Sequence, residues 1–388
     1  MLSISVTQCL VRISVFVLLA CLSSNGESTQ ESLSNIKRSD FPTDFLFGAS
    51  TAAAQTEGSA KSGGKGPSVW DQFIREYPDR IIDKSNLDVA ADSYNRYKED
   101  VSILKDLGVN SYRFSIAWTR ILPDGTLSGG KNQEGIDHYN SFIDELIKND
   151  IKPVVTLLHF DPPEALEKKY ESFLSHRIVN DFKDYAEICF KTFGDRVKYW
   201  ITINEPLIMA KMGYAMGLAP PVRCSDRKMC ANGNSVSYLV DPNVNVSIDK
   251  DGVLIGPNAG GSMFIYVYPE GLYKLLEFIQ ENYSKNLAIY ITENGYTEKS
   301  NISVPFSESQ TDHIRIEFVR KHLRQLEIAI KNGVNVKGYF YYSLLDSFEW
   351  GEGYTVRYGL YHVDFKTLVR SPKDSAKWYR AFIKDVNG

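Results

Sequence analysis

Two short stretches place acids where a fold can use them together. Trp200-Ile201-Thr202-Ile203 is a β-prone run that closes on Asn204-Glu205, and Pro206 stops it. Ile289-Tyr290-Ile291-Thr292 closes in the same way on Glu293-Asn294, and Gly295 follows. A polar pair at the far end of an apolar run sits at the C-terminal end of a buried strand. In a barrel of parallel strands those ends together form the active site, so the two acids predict paired-carboxylate chemistry.

The elements that must hold these acids are legible as a beat of strands and helices. Apolar residues three or four apart predict a helix over 88–107, through Ala91, Tyr94, Tyr97, Val101 and Leu104. Gly108 ends it before a strand over 109–116. Ile136, Tyr139, Phe142, Ile143 and Leu146 mark a second helix, followed by a fully apolar strand over 151–158. A third helix over 179–193 leads into the strand that ends at Glu205. Further helices are expected over 271–283, 312–331 and 374–383, with strands over 287–292 and 336–344. Near-continuous apolar strands separated by helices predict a parallel sheet covered on both faces. Counting the strand near residue 45, six barrel-type strands emerge. Between 217 and 261 no long amphipathic helix and no core strand can be read.

The 388 residues are 43% hydrophobic with a net charge of −4, enough for one large core and without the basic excess of a nucleic-acid binder. Residues 10–22 are apolar apart from Arg12, and small residues follow, so 1–24 reads as a secretory signal peptide. Residues 25–40 form a polar lead-in, and 41–388 the barrel domain. Once the signal is removed no stretch could cross a bilayer, and the destination expected is extracellular (the apoplast) or vacuolar. In that oxidising route Cys224 and Cys230 form a plausible local disulfide, while Cys189 lies on an apolar helix face as a buried free thiol. Sequons stand at Asn245, Asn282 and Asn301. No Cys/His cluster has metal-ligand spacing and no glycine-rich phosphate loop occurs, so neither metal nor cofactor is expected.

In order, Phe47-Gly48-Ala49, Gln55 with Glu57-Gly58, Tyr112-Arg113-Phe114-Ser115-Ile116-Ala117-Trp118, Thr202 to Pro206, Tyr290 to Gly295 and Ser343 to Trp350 resemble a family 1 glycoside hydrolase. The likeness is greatest to plant β-glucosidases. It implies an α/β fold of the (β/α)8 TIM-barrel type and retaining hydrolysis of a small-molecule β-glucoside. It also implies Glu205 as acid/base, Glu293 as nucleophile and Arg113 as the arginine touching that nucleophile. Gln55, His159, Asn204, Tyr342, Glu349, Trp350 and Tyr358 match positions expected to hold the sugar. The chemistry suits two carboxylates about 5 Å apart, one giving and retaking a proton, the other attacking the sugar. Apolar surroundings would keep Glu205 protonated, and Arg113 would keep Glu293 ionised.

The sequence departs from that family in two ways. Phe160, Phe264 and Tyr342 stand at common tryptophan positions, and Ser347 replaces the usual asparagine, which predicts an altered sugar or aglycone preference. More seriously, Glu205 and Glu293 are only 88 positions apart, which implies an internal deletion near 236–262. A βα unit takes about 30 residues or more, so at least two units are missing, along with the family's strand-six tyrosine. Six strands do not close an eight-stranded barrel. The expectation is an incomplete barrel with exposed edges on the strands carrying the two acids, and acids drawn apart. The alternative reading is then a catalytically inactive glucoside-binding chain or a non-functional splice-type variant.

Overall fold

A computed structural model describes residues 36–225, 249–250, 252–262, 265–300 and 310–385. The signal region 1–24, most of the lead-in 25–40, Cys230, Asn245, Phe264 and Asn301 lie outside the described residues.

Six strands form one sheet: β1 (Leu46–Ser50), β2 (Ser111–Ser115), β3 (Lys152–Leu158), β4 (Tyr199–Ile203), β5 (Ile289–Asn294) and β6 (Val336–Tyr342). Their order is β4-β3-β2-β1-β6-β5, and every neighbouring pair is parallel. The helices that cover the sheet are α1 (Ser93–Leu107), α2 (Gln133–Lys148), α3 (Arg177–Phe193), α4 (Pro269–Asn282), α5 (His313–Lys331) and α6 (Asp374–Lys384). Helix α1 starts later than its periodicity predicts, because Ala90 and Asp92 take left-handed conformations and turn the chain just before it. Asn282, the one described sequon, is exposed at the last residue of α4.

Side chains alternate across each strand, and the two faces do different work. Phe47, Tyr112, Phe114, Val155, Ile291, Tyr339 and Tyr341 join the large core beneath the helices, which α2 completes with Ile136, Tyr139, Ile143 and Leu146. Cys189 is buried in this core as a free thiol, and burial pushes its pKa up. On the other face Leu46, Val154, Ile201 and Phe340 meet as a small interior cluster, with Tyr199 and Tyr290 packed against it. Residues from strands at both ends of the sheet touch the same few side chains, so the sheet is curled into an incomplete barrel. The interior is tight: a Cβ on Gly48 would collide with the Phe340 ring.

As expected, no strand is paired to the outer side of β4 or β5 among the described residues. Asp249–Lys250 and Val253–Leu254 make only a short antiparallel hairpin outside the sheet. The two edges nevertheless meet. The Tyr199 ring of β4 stands edge-on to the Tyr290 ring of β5, with centroids 5.8 Å apart. Curl and aromatic bulk narrow the seam that two missing units leave.

Candidate active site

The site gathers where the strands end. Asn204 follows β4 and donates its backbone N–H to Leu158 O at the end of β3 (2.8 Å), which extends the ladder by one step. Glu205 then turns sharply, with φ 37° and ψ 61°, and Pro206 opens a short helix. A left-handed conformation at a residue other than glycine costs roughly 1–3 kcal/mol and is concentrated at functional sites. Across the seam Glu293 lies within β5, and Gly295 lets the chain leave it against the Tyr342 backbone, where a Cβ would collide.

Arg113 connects these parts. It sits in β2 and is fully buried. Its Nη1 donates to Glu293 Oε1 in a very short contact, and its Nη2 donates to Asn204 Oδ1 at 2.7 Å. Its Nε donates to Thr156 Oγ1 of β3 at 3.1 Å. One planar guanidinium therefore links β2, β3, the end of β4 and β5, and reaches both sides of the seam. Burial lowers its pKa to about 10, and the charge of Glu205 opposes that fall. It stays ionised at neutral pH. Arg113 ties Glu293 to Asn204, the residue beside Glu205.

The two carboxyls have opposite surroundings. Glu293 is ion-paired to Arg113. Glu205 Oε1 is buried with no hydrogen-bond partner among the described residues. Burial raises its pKa to about 8, against the smaller lowering effect of Arg113. At neutral pH Glu205 is thus largely the neutral acid.

His159 follows β3 and is buried, with Nε2 3.1 Å from Asn204 Nδ2. Because Arg113 occupies Asn204 Oδ1, the amide must present its N–H to His159. Nε2 accepts, and the imidazole proton sits on Nδ1. Burial, followed by Arg113, holds the His159 pKa well below its usual value. Its 4.0 Å approach to Glu293 is therefore not an ion pair. Nδ1–H is buried without a partner among the described residues, a donor left open.

A second set closes the other wall. Gln55 Nε2 donates to Phe348 O (2.8 Å) and to Glu349 Oε2 (3.1 Å), and Tyr342 Oη donates to Gln55 Oε1 (2.8 Å). Tyr358 packs edge-on to Tyr342 at 5.5 Å. Trp350 lies parallel to the His159 ring at 6.1 Å and is backed by Trp70 at 4.7 Å and Phe160 at 5.4 Å. All ten positions named for catalysis or sugar contact lie around this one region. Cys224 is in a disulfide, and Cys230 lies outside the described residues. Thr156 and Tyr339, whose hydroxyl donates to Asn294 Oδ1 at 2.9 Å, were not read from the sequence. The signal for Thr156 was its register one residue beyond Val155 on the inward face. Among the described residues no group of His, Cys, Asp or Glu is arranged to hold a metal, and no helix is long and apolar enough to cross a membrane.

Comparison with known proteins agrees with this geometry. The glycosyl hydrolase family 1 model matches residues 37–240 and 258–387, and its interruption falls where the sheet lacks strands. Beta-glucosidase 12 of Oryza sativa subsp. indica is 38% identical, with 95% of this chain and 97% of that protein covered. That alignment runs over 497 positions against 388 residues here, so more than a hundred positions of the relative have no counterpart. Furostanol glycoside 26-O-beta-glucosidase of Hellenia speciosa is 39% identical, covering 89% of this chain and 84% of that protein. The crystal structure of rice Os3BGlu6 beta-glucosidase superposes with a TM-score of 0.83 at 33% identity, covering 90% of this chain and 99% of that one. The chain therefore belongs to glycosyl hydrolase family 1, and its reaction is the retaining hydrolysis of β-D-glucosides.

Proposed function

We propose that Glu205 is the acid/base and Glu293 the nucleophile of this hydrolysis, acting on a small O-β-glucoside. The contrast between the carboxyls carries the reading: one has a buried oxygen with no hydrogen-bond partner among the described residues and a raised pKa, the other is ion-paired to Arg113. In the first step Glu293 attacks the anomeric carbon while Glu205 gives its proton to the leaving oxygen. In the second, Glu205 takes a proton from water, which attacks from the face the aglycone left, opposite the Glu293–sugar bond, and displaces Glu293, so the product retains its β configuration. Asn204 and His159 donate toward sugar hydroxyls, with Asn204 fixed in orientation by Arg113. Trp350 and Tyr358 contribute aromatic surface, and Gln55, Tyr342 and Glu349 bind the rest of the sugar.

The pH profile tests the acid. On an alkyl β-glucoside, whose leaving oxygen needs a proton, kcat/KM falls as pH rises through about 8, because Glu205 loses the proton it must donate. A profile flat to pH 10 would contradict the assignment. Stability follows the same sign. A carboxyl whose folded pKa is raised stabilises fully below the ordinary carboxylate range and loses that contribution as pH rises toward its folded pKa. The melting temperature of Glu205→Gln should therefore fall less than that of wild type between pH 5 and pH 9.

We assign export through the secretory pathway to the apoplast or vacuole. The apolar run 10–22 and the disulfide-bonded Cys224 support it. Expression with and without residues 1–24, followed by fractionation, tests it: cytosolic retention of the full chain would refute it.

A further inference from the structure

The wall formed by Gln55, Tyr342, Ser347 and Glu349 has satisfied its own hydrogen bonds. All four residues are at most 6% exposed. The orientation of Gln55 is fixed, because Nε2 points at Phe348 O, which can only accept. Oε1 therefore faces the Tyr342 hydroxyl, which donates to it. Glu349 Oε2 accepts from Gln55, and Oε1 accepts from Ser347 Oγ at 2.7 Å. The Gln55–Glu349 contact thus joins two pairs, Tyr342 with Gln55 and Ser347 with Glu349, into one chain of four side chains. Two members of that chain of contacts, Tyr342 and Ser347, are among the four positions at which the sequence departs from the family pattern.

A pocket built to bond a substrate hydroxyl rejects the analogue lacking it, because its buried polar groups are then left unpaired. Here removal of a sugar hydroxyl leaves the wall paired as before. We propose that Tyr342 is a specificity-determining residue, which with Ser347 keeps Gln55 and Glu349 occupied and makes this wall tolerant of sugars lacking a hydroxyl. The substrate class widens accordingly from β-D-glucosides to deoxy-β-D-glucosides. This rests on the reading that Gln55 and Glu349 face the sugar.

The test compares kcat/KM for 4-nitrophenyl β-D-glucoside with the 3-deoxy, 4-deoxy and 6-deoxy glucosides, in wild type, Tyr342→Phe and Ser347→Ala. Phenylalanine keeps the ring and frees Gln55 Oε1, while alanine frees Glu349 Oε1. The expected result is a wild-type penalty under about 10-fold for at least one deoxy position, rising about 10-fold or more in either variant. A wild-type penalty of 10³-fold or more at all three positions, or ratios unmoved in both variants, would overturn the proposal. A chain that turns over none of the four would fail the assignment of the acids instead. The same ratios are then read from equilibrium binding of glucose and the three deoxyglucoses, with the same two outcomes. A merely structural role for Tyr342 would lower every rate together and leave the ratios unchanged.

Discussion

Arg113→Leu destabilises the chain by about 3–5 kcal/mol and abolishes turnover. Removing one partner of a buried pair leaves the other charge uncompensated, and the cost falls in that range. Here the loss is threefold: Glu293 loses its cation, Asn204 Oδ1 its donor, and Thr156 its partner. The seam sharpens the effect. In a closed barrel β4 and β5 would be tied through intervening strands, whereas here Arg113 and the Tyr199–Tyr290 contact reach across. Arg113→Lys does not rescue, since one ammonium cannot offer a rigid fork to three acceptors. Denaturant melts of the three proteins measure this, and a loss under about 1 kcal/mol in the leucine variant would show that Arg113 does not hold the seam.

Glu293→Gln lowers kcat on an aryl β-glucoside by on the order of 10⁴-fold or more, as removal of a covalent nucleophile does. It also leaves Arg113 unneutralised, so the loss in rate comes with some loss in stability. Glu205→Ala behaves differently. With an activated aryl leaving group the first step needs little proton transfer, and the second step, which needs a base, becomes slow. Added azide then restores turnover and yields a β-glucosyl azide, because a small anion fills the space of the lost carboxylate and attacks from the same side. Azide rescue of Glu293→Gln in place of Glu205→Ala, or rescue of neither, would reverse or remove the assigned roles.

Much of this site could be read from the sequence, for a physical reason. Strands buried on both faces are apolar throughout, so a polar residue at a strand end stands out, as Glu205, Glu293 and His159 do. The helices declared themselves through their apolar spacing, and the missing strands through an interval too short to contain them. What escaped depends on contacts between distant parts of the chain. The reach of Arg113 across the seam follows from the curl of the sheet, which no local pattern encodes. The exchange of an indole for a phenol at Tyr342 was visible, but its meaning lay in Gln55, 287 positions away. The left-handed turn at Glu205 carries no glycine or asparagine to announce it. The barrel stays open, as six strands imply, and the side chains that reach across its opening could not be read from the sequence.

Whether the incomplete barrel brings its two acids to bear on one sugar is decided by following hydrolysis of 4-nitrophenyl β-D-glucoside by the purified chain with proton NMR in the first minutes. Turnover is expected, with β-glucose as the first product, appearing before the anomers equilibrate. α-Glucose as the first product, or no hydrolysis by a chain that melts cooperatively, would contradict it.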